Sequence, residues 1–423
     1  MKEPAGKLRV GLVSPYAWTS AWGVNRHIAG LATALAAKGH DVSVIAPSEE
    51  RVEVRSARKR AKAARRTAKG TRKLATARGA RSASPAVSTF FAEDSSAFKL
   101  IKVAGTFRFP YSESLANLAL PLEVTEQVKE LLKHEFFDIL HVHEPYPPSL
   151  SFTALRLAHC PTVATFHTSG ERFLSYQLMR PVVERFLARL DGRICTSHNT
   201  RRIVSSYFPG DYVVIGSGVD TGRFHVAGEA RSGQDRPLVI FAAWSEPRKG
   251  VGLLARMIRL LPEDVPLFEL AVVGGEEVAW RGRLLIPRRL RDRIHWAGVI
   301  GGKELDREYQ RAAVLCAPYA ASGLASSVLE AMASGVAVIV PGQGGIKELV
   351  SEGSEGLLLD HPYTYNLAAS LVDLLHEGRE RRSLGAAAAR QAARYSWEKV
   401  TPQIEEAYQK AYRRRRLRRP ARS

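Results

Sequence analysis

At 423 residues the chain exceeds the ~250–300 at which a single hydrophobic core stops growing, so two domains are expected. Its 45% hydrophobic and 25% charged residues suit a globular fold, and no apolar run of about 18 residues escapes interruption by charge, Gly or Pro, which argues against a membrane span. The formal charge of +20 would suit a nucleic-acid binder, yet thirteen Lys/Arg against the single Glu53 between Arg51 and Arg81, and seven Arg without an acid from Arg413 to Ser423, carry nearly all of it. Neither segment interleaves aromatics, so nucleic acid is disfavoured as a partner. Cys160, Cys195 and Cys316 lie far apart in apolar segments and imply neither a disulfide framework nor a metal cluster, as in a reducing cytosol. Lys2 and Lys7 lead straight into a strand rather than into a secretory apolar region.

Leu8 to Ser14 is a short apolar run suited to a parallel strand buried on both faces. Beyond the loop 15–23, apolar Ile28, Leu31, Leu35 and Ala36 recur at helical spacing, Lys38-Gly39-His40 closes the helix, and Val42 to Ala46 forms a second strand. This βαβ opening lacks the G-x-G-x-x-G of a dinucleotide site. The segment 51–84, rich in Ala, Arg and Lys, cannot bury a core; it is a basic surface helix over Ala57 to Ala68 or a solvated excursion.

The strand Phe98 to Val103 and a helical pattern over Val124 to Lys133 lead to Phe137–Pro145, where His141 and His143 share one face of a strand. With no third ligand in view, a strand ending over a cleft explains this pair better than a metal site. Thr162 to Thr168 is a strand that ends on His167, at the carboxyl edge where open α/β sheets bind ligands. A helical segment over Leu174 to Leu190, the strand Gly192 to Ser197 and a hinge at Tyr207–Gly210 close a first domain assigned to residues 1–208.

From 209 to 395 the alternation repeats, with strands at Tyr212–Ile215, Leu238–Ala242, Phe268–Val273, Ile294–Trp296, Val314–Ala317 and Ala337–Val340. The fold class is therefore α/β, two doubly wound Rossmann-like domains facing a central cleft. After Leu238–Ala242 comes Trp244-Ser245-Glu246-Pro247-Arg248-Lys249-Gly250, which puts two cations and the free N–H groups of a helix start at one spot, a combination suited to a diphosphate. An isolated Arg-Lys pair would otherwise read as a solvated loop. Ser396-Trp397-Glu398 opens a last helix, 396–412, with Val400, Ile404, Ala407 and Ala411 along it and Trp397 expected to be buried; an arginine-rich tail, 413–423, follows.

Four stretches, Leu140 to Ser151, Val163 to Ser169, Glu246 to Gly250 and Leu329 to Gly335, stand in the order found in the retaining family-4 glycosyltransferases of the GT-B fold. The chain resembles that family from Leu8 to about Tyr412, and within it the actinobacterial phosphatidylinositol mannosyltransferases. The resemblance implies a catalytic site of Arg248 and Lys249 on the donor diphosphate and His167 on the donor sugar, with Glu330 on the nucleotide ribose. It also implies substrate-binding roles near Gly23, Tyr16 and Ser322, a last helix that crosses back onto the first domain, and no metal or cofactor beyond the nucleotide-diphosphate sugar itself. A leaving diphosphate gathers negative charge, and its own oxygen can accept the acceptor's proton, so a metal and a carboxylate pair are both dispensable.

The chain departs from the family at Trp22 in place of a glycine, Ala243 in place of the arginine that opens the diphosphate motif, Ser322 in place of the first glutamate of the Glu-x7-Glu motif, and Thr19 in place of an acid. Two readings follow. One is a hexosyltransferase, held by its basic segments on anionic lipid at the inner face of the membrane, that serves a lipid-borne acceptor. The other is a catalytically weakened relative that binds or scaffolds there.

Overall fold

The computed structural model describes residues 6–18, 23–47, 91–94, 97–103, 106–111, 114–119, 121–147, 149–167, 174–226, 236–242, 247–274, 282, 285–286, 294–298, 302–318, 326–360 and 363–418. The basic segment 51–84, with its suggested helix over 57–68, lies outside them, as do Thr19, Trp22, Ala243, Ser322 and residues 419–423.

The first domain contains β1 (Arg9–Val13), α1 (Gly23–Ala37), β2 (Asp41–Pro47), β3 (Phe91–Asp94), β4 (Lys99–Val103), β5 (Thr106–Tyr111), β6 (Ser114–Ala119) and α2 (Pro121–His134). It continues through β7 (Ile139–His143), α3 (Leu150–Leu157), β8 (Thr162–Phe166), α4 (Leu174–Leu187), β9 (Gly192–Cys195), α5 (His198–Tyr207) and β10 (Val213–Val214). Its eight-stranded sheet has the order β10-β9-β8-β7-β1-β2-β4-β3, parallel except for β3, while β5 and β6 form a separate antiparallel pair. The strand order reverses at β1, flanked by β2 and β7, so the crevice beyond the carboxyl ends of β1 and β7 is the place for a ligand.

The second domain contains β11 (Leu238–Ala242), α6 (Pro247–Leu260), β12 (Glu269–Val273), β13 (Ile294–Gly298), α7 (Gly302–Arg311), β14 (Ala312–Cys316) and α8 (Ser326–Ala333). Then come β15 (Ala337–Pro341), β16 (Gly356–Leu359), α9 (Tyr363–His376) and α10 (Gly378–Ala392). Its six strands lie in the order β13-β12-β11-β14-β15-β16, all parallel, with the reversal between β11 and β14. The apolar runs of β11 and β15, and β7 and β8, whose runs are broken only by His141, His143, Thr162 and Thr165, are buried at every position, as strands covered by helices on both faces must be.

Three boundaries differ from the sequence reading. The strand assigned to the second domain at 212–215 is β10, which pairs with β9 and makes the edge of the first sheet, so the chain leaves the first domain after that strand rather than at 208. The helix after β11 begins at Pro247, a residue whose missing N–H and fixed φ suit a first helical position, so Arg248 and Lys249 sit in its first turn. The last helix, α11 (Trp397–Arg418), runs six residues past 412 because its arginines find internal partners. Arg415 and Arg418 lie 3.9 and 3.5 Å from the fully buried Asp191 carboxylate, whose Oδ2 also accepts from the Thr162 N–H at 3.0 Å.

α11 packs Val400, Ile404, Ala407, Tyr408 and Ala411 into the apolar cluster of β1, α1 and β2. Trp397 at its start is 8% exposed and wedges between the two domains' connections. A Cβ on Gly30 of α1 or on Gly218 of the connecting segment would collide with its ring. The neighbouring Val219 exchanges backbone hydrogen bonds with Tyr395 (2.8 Å) and Trp397 (3.1 Å), so the two crossings between domains run side by side.

Candidate active site

Both switch points open onto one cleft. On the first sheet, β1 ends in Ser14, whose hydroxyl lies 2.6 Å from Asn25 Oδ1, and Asn25 Nδ2 donates to the Ala17 carbonyl at 2.7 Å. These bonds tie the loop carrying Tyr16 to the start of α1, where Gly23 is the first helical residue. Tyr16 is 6% exposed, and burial together with the nearby Glu144 carboxylate holds its phenol well above the ordinary value, so it stays protonated. Glu144, at the end of β7, adopts φ 47° and accepts from the His167 backbone N–H at the end of β8.

His167 stands in a group of buried histidines. His143 Nδ1 lies 2.9 Å from His167 Nε2, the two rings meet edge to edge with centroids 5.2 Å and planes 13° apart, and His27 from α1 meets the His167 ring at 5.0 Å and the His143 ring at 5.6 Å. His141 stacks on His143 at 4.4 Å and is itself held by Thr165 Oγ1 at 2.6 Å and Tyr408 Oη at 2.8 Å. Burial depresses every one of these imidazoles, His27 to about 4 and His141 to about 3, with His143 and His167 also pushed well below 6.5, so they are neutral at pH 7. The third histidine that sequence reasoning did not find is therefore His27. On a helical pattern it looked like one more polar position; only the docking of α1 across β7 and β8 brings it to the pair.

On the second sheet, α6 follows β11 and α8 follows β14, the two strands that flank the switch point. Arg248 and Lys249 occupy the first turn of α6, and their side chains lie outside the described residues, as does Ser322. Glu330 on α8 is 8% exposed, and Arg26 from α1 donates to its carboxylate across the cleft. Burial pushes the Glu330 carboxyl up to about 7, while Arg26 pulls it down. Tyr309 supports the pair, bonding Arg26 and donating to the Ser327 carbonyl at 3.1 Å. Arg26, like His27, was not singled out in the sequence, where it is one arginine in a surface-helix pattern.

A second clamp lies on the other side. The Glu348 carboxylate accepts from the backbone N–H groups of His198 and Asn199, both at 2.8 Å, and so caps the first turn of α5 from the opposite domain. A cavity of about 520 Å3 runs behind the Arg26–Glu330 pair, lined among others by His27, Gly218, Arg223 and Trp397.

Two doubly wound domains that put their switch points on one cleft define the GT-B class of glycosyltransferase. The chain superposes on sucrose-phosphate synthase from Thermosynechococcus elongatus with a TM-score of 0.71 at 20% identity, covering 96% of this chain and 100% of that one. Anabaena HepE, solved in complex with UDP and glucose, matches with a TM-score of 0.66 at 15% identity over 94% and 98% of the two chains. The Glycosyltransferase Family 4 profile matches residues 22–223 and the Glycosyl transferases group 1 profile residues 227–391, and the chain belongs to the family-4 glycosyltransferases of the GT-B fold. It is 28% identical to the phosphatidyl-myo-inositol mannosyltransferase of Mycolicibacterium smegmatis over 95% of this chain and 94% of that one. It is 29% identical to the Mycobacterium leprae protein of the same name, over 95% and 96%.

Proposed function

We propose that this chain moves a hexose of the mannose or glucose type from a nucleotide-diphosphate sugar to a lipid-borne acceptor with retention of configuration. What carries the reading is the arrangement at the second switch point. Two basic residues, Arg248 and Lys249, open the helix after β11, and one buried carboxylate, Glu330, stands on the helix after β14, opposite the histidine-lined edge of the first sheet. In this reading the diphosphate lies against Arg248, Lys249 and the positive end of α6, which stabilise it most as the glycosyl bond breaks. Glu330 accepts from ribose hydroxyls, His167 contacts the sugar, and Gly23, Tyr16 and Ser322 complete the donor and acceptor walls. The departing phosphate oxygen takes the acceptor's proton, so the chemistry asks for no metal at the diphosphate.

A phosphatidylinositol-type acceptor is supported by the names of the mycobacterial relatives. No helix among the described residues is long and apolar enough to cross a membrane. Attachment to the inner face then falls to the segment 51–84 and to the arginines of the tail that Asp191 does not engage, at about 1 kcal/mol per Lys/Arg near an anionic surface. Vesicle co-sedimentation at low and high salt checks this; equal binding to neutral and anionic vesicles would rule it out.

The donor site is tested by a thermal-shift panel of GDP- and UDP-sugars on the parent, Arg248→Ala and Lys249→Ala proteins. Each substitution should weaken the nucleotide, and unchanged binding in both would remove the assignment. One observation favours the weakened, scaffold-like alternative: Arg26 already occupies the carboxylate that the ribose needs. Nucleotide binding without turnover of any donor would select it.

A further inference from the structure

We propose that Glu348 and the start of α5 form the pivot on which the two domains turn, while Arg26 and Glu330 form the contact that opens and closes. Both are polar contacts that join the bodies of the domains. The crossings lead from one to the other: Tyr395 Oη lies 3.5 Å from the Glu348 carbonyl, and Trp397, further along the same crossing, shares a cavity with Arg26 and Glu330. Their distances from the chain's exit differ. α5 follows β9, which neighbours the edge strand β10 from which the chain leaves the first sheet, whereas α1 follows β1, three strands further in, or roughly 14 Å at 4.7–4.9 Å per strand. A turn about the exit side therefore moves the Arg26 contact furthest and the Glu348 contact least.

The chemistry at α5 suits a joint that stays made. α5 carries no acid in its first turn, and its own cap, Ser197, serves a single amide, accepting from the Thr200 N–H at 2.9 Å. Glu348 fills the two positions before it, Oε2 accepting from the His198 N–H and Oε1 from the Asn199 N–H, so each carboxylate oxygen holds one amide at the positive end of the helix. The carboxylate is rooted in its own domain, since Ile346, Leu349 and Val350 around it lie in the second domain's core. Gly216, just past the exit, leaves room for the Tyr395 ring, which a Cβ there would meet at 2.7 Å. Exit, crossing and carboxylate are thus packed as one unit.

The contact at α1 differs in kind. The Arg26 side chain is 27% exposed, and Glu330 is the carboxylate proposed to hold the ribose, so this pair is exchangeable for a ligand. The donor reading claims neither amide at α5. Displacing Arg26 leaves Glu348 in place, and a clamp at two points becomes a hinge at one. This inference deepens the proposed donor reading, on which only the nucleotide arm of its test rests.

The test places pairs of spin labels on the full chain, with the half-buried thiol removed as Cys160→Ser, and reads their separations by electron paramagnetic resonance. Arg201→Cys with Ser351→Cys spans the pivot, and Ala37→Cys with Arg307→Cys spans the α1 side; all four positions are exposed. Arg26→Ala, and saturating GDP or UDP on the parent, should each shift the α1 pair by more than about 2 Å while leaving the pivot pair in place, and Glu348→Gln should broaden the pivot pair. Hydrogen exchange on the unlabelled chain gives a second readout, in which the His198 and Asn199 amides stay slow in Arg26→Ala and exchange about tenfold faster or more in Glu348→Gln. Circular dichroism melts establish whether the variants fold; should Glu348→Gln not fold, Arg26→Ala alone decides. A shift in Arg26→Ala without one from either nucleotide supports the pivot and counts against the donor reading alone. The proposal is overturned if the pivot pair moves as far as the α1 pair in Arg26→Ala, if neither pair moves there, or if Glu348→Gln leaves the pivot pair and both amides unchanged.

Discussion

Arg26 in the first turn of α1 donates to Glu330 on α8, so a single ion pair closes the cleft at the carboxylate on which the ribose is proposed to sit. Donor and Arg26 therefore compete for one group. Arg26→Ala should raise nucleotide-sugar affinity on the order of tenfold, the worth of about one charge-assisted bond, and should at the same time lower thermal stability because Glu330 is left buried without its counter-charge. Calorimetric titration with the best donor from the panel reads the first effect and a melt reads the second. Weaker binding in the variant would instead make Arg26 a donor contact.

The same carboxyl gives stability a pH dependence. Glu330 is raised to about 7 from its ordinary 4.5, with burial as the main cause, so the folded chain holds this proton more tightly than the unfolded chain does. Its contribution to stability is full below about pH 4.5 and is lost as pH rises through about 7. Unfolding midpoints should consequently fall more steeply over that window in the parent than in Glu330→Gln. Parallel curves would mean that Glu330 titrates normally.

Asp191 and the end of α11 form a separate structural unit. Burial raises the Asp191 carboxyl, and the Thr162 N–H with Arg415 and Arg418 opposes that shift. Removing residues 413–423, or making Arg415→Ala, should cost about 1–3 kcal/mol by leaving a buried carboxylate short of partners. Adding Asp191→Asn should recover part of that loss. Urea denaturation of the four combinations measures the coupling, and additive losses would show that the arginines do not serve Asp191.

Trp397 should prove the least replaceable residue of the domain junction. Gly30→Ala and Gly218→Ala each drive a methyl into its ring and should destabilise by about 1–3 kcal/mol, whereas Trp397→Ala should cost about 3–5 kcal/mol through the cavity it leaves. A Trp397→Ala protein with an unchanged melt would show the junction to be held elsewhere, for instance by Glu348 at the start of α5.

What the sequence made legible follows from how local each signal is. Continuous apolar runs gave the central strands, and the spacing of Val400, Ile404, Ala407 and Ala411 gave the buried face of α11. His167 was singled out because it ends a strand at the carboxyl edge of the sheet, and Glu330 through a short motif of the family the chain resembles; the structure puts both on the cleft. Arg26 and His27 were missed because their partners lie at Glu330, His143 and His167, and no periodicity within α1 reports on what docks against it. The continuation of α11 through Arg418 was missed for the same reason: a run of arginines reads as solvated unless the buried acid that meets it is known. The short edge strands β3 and β16 carried too little alternation to stand out, whereas β5 does alternate Phe107, Phe109 and Tyr111 with Thr106, Arg108 and Pro110, a strand signal the sequence reading passed over.

Transfer itself is the most direct measurement. The parent protein is incubated with labelled GDP-mannose, and in parallel with UDP-glucose, on vesicles containing phosphatidylinositol, and the lipid product is isolated and its anomeric configuration read by NMR. The predicted result is a labelled glycolipid that retains the donor's configuration and is lost in Lys249→Ala. Absence of product from every donor while nucleotide still binds, or a product of inverted configuration, would contradict the proposed reaction.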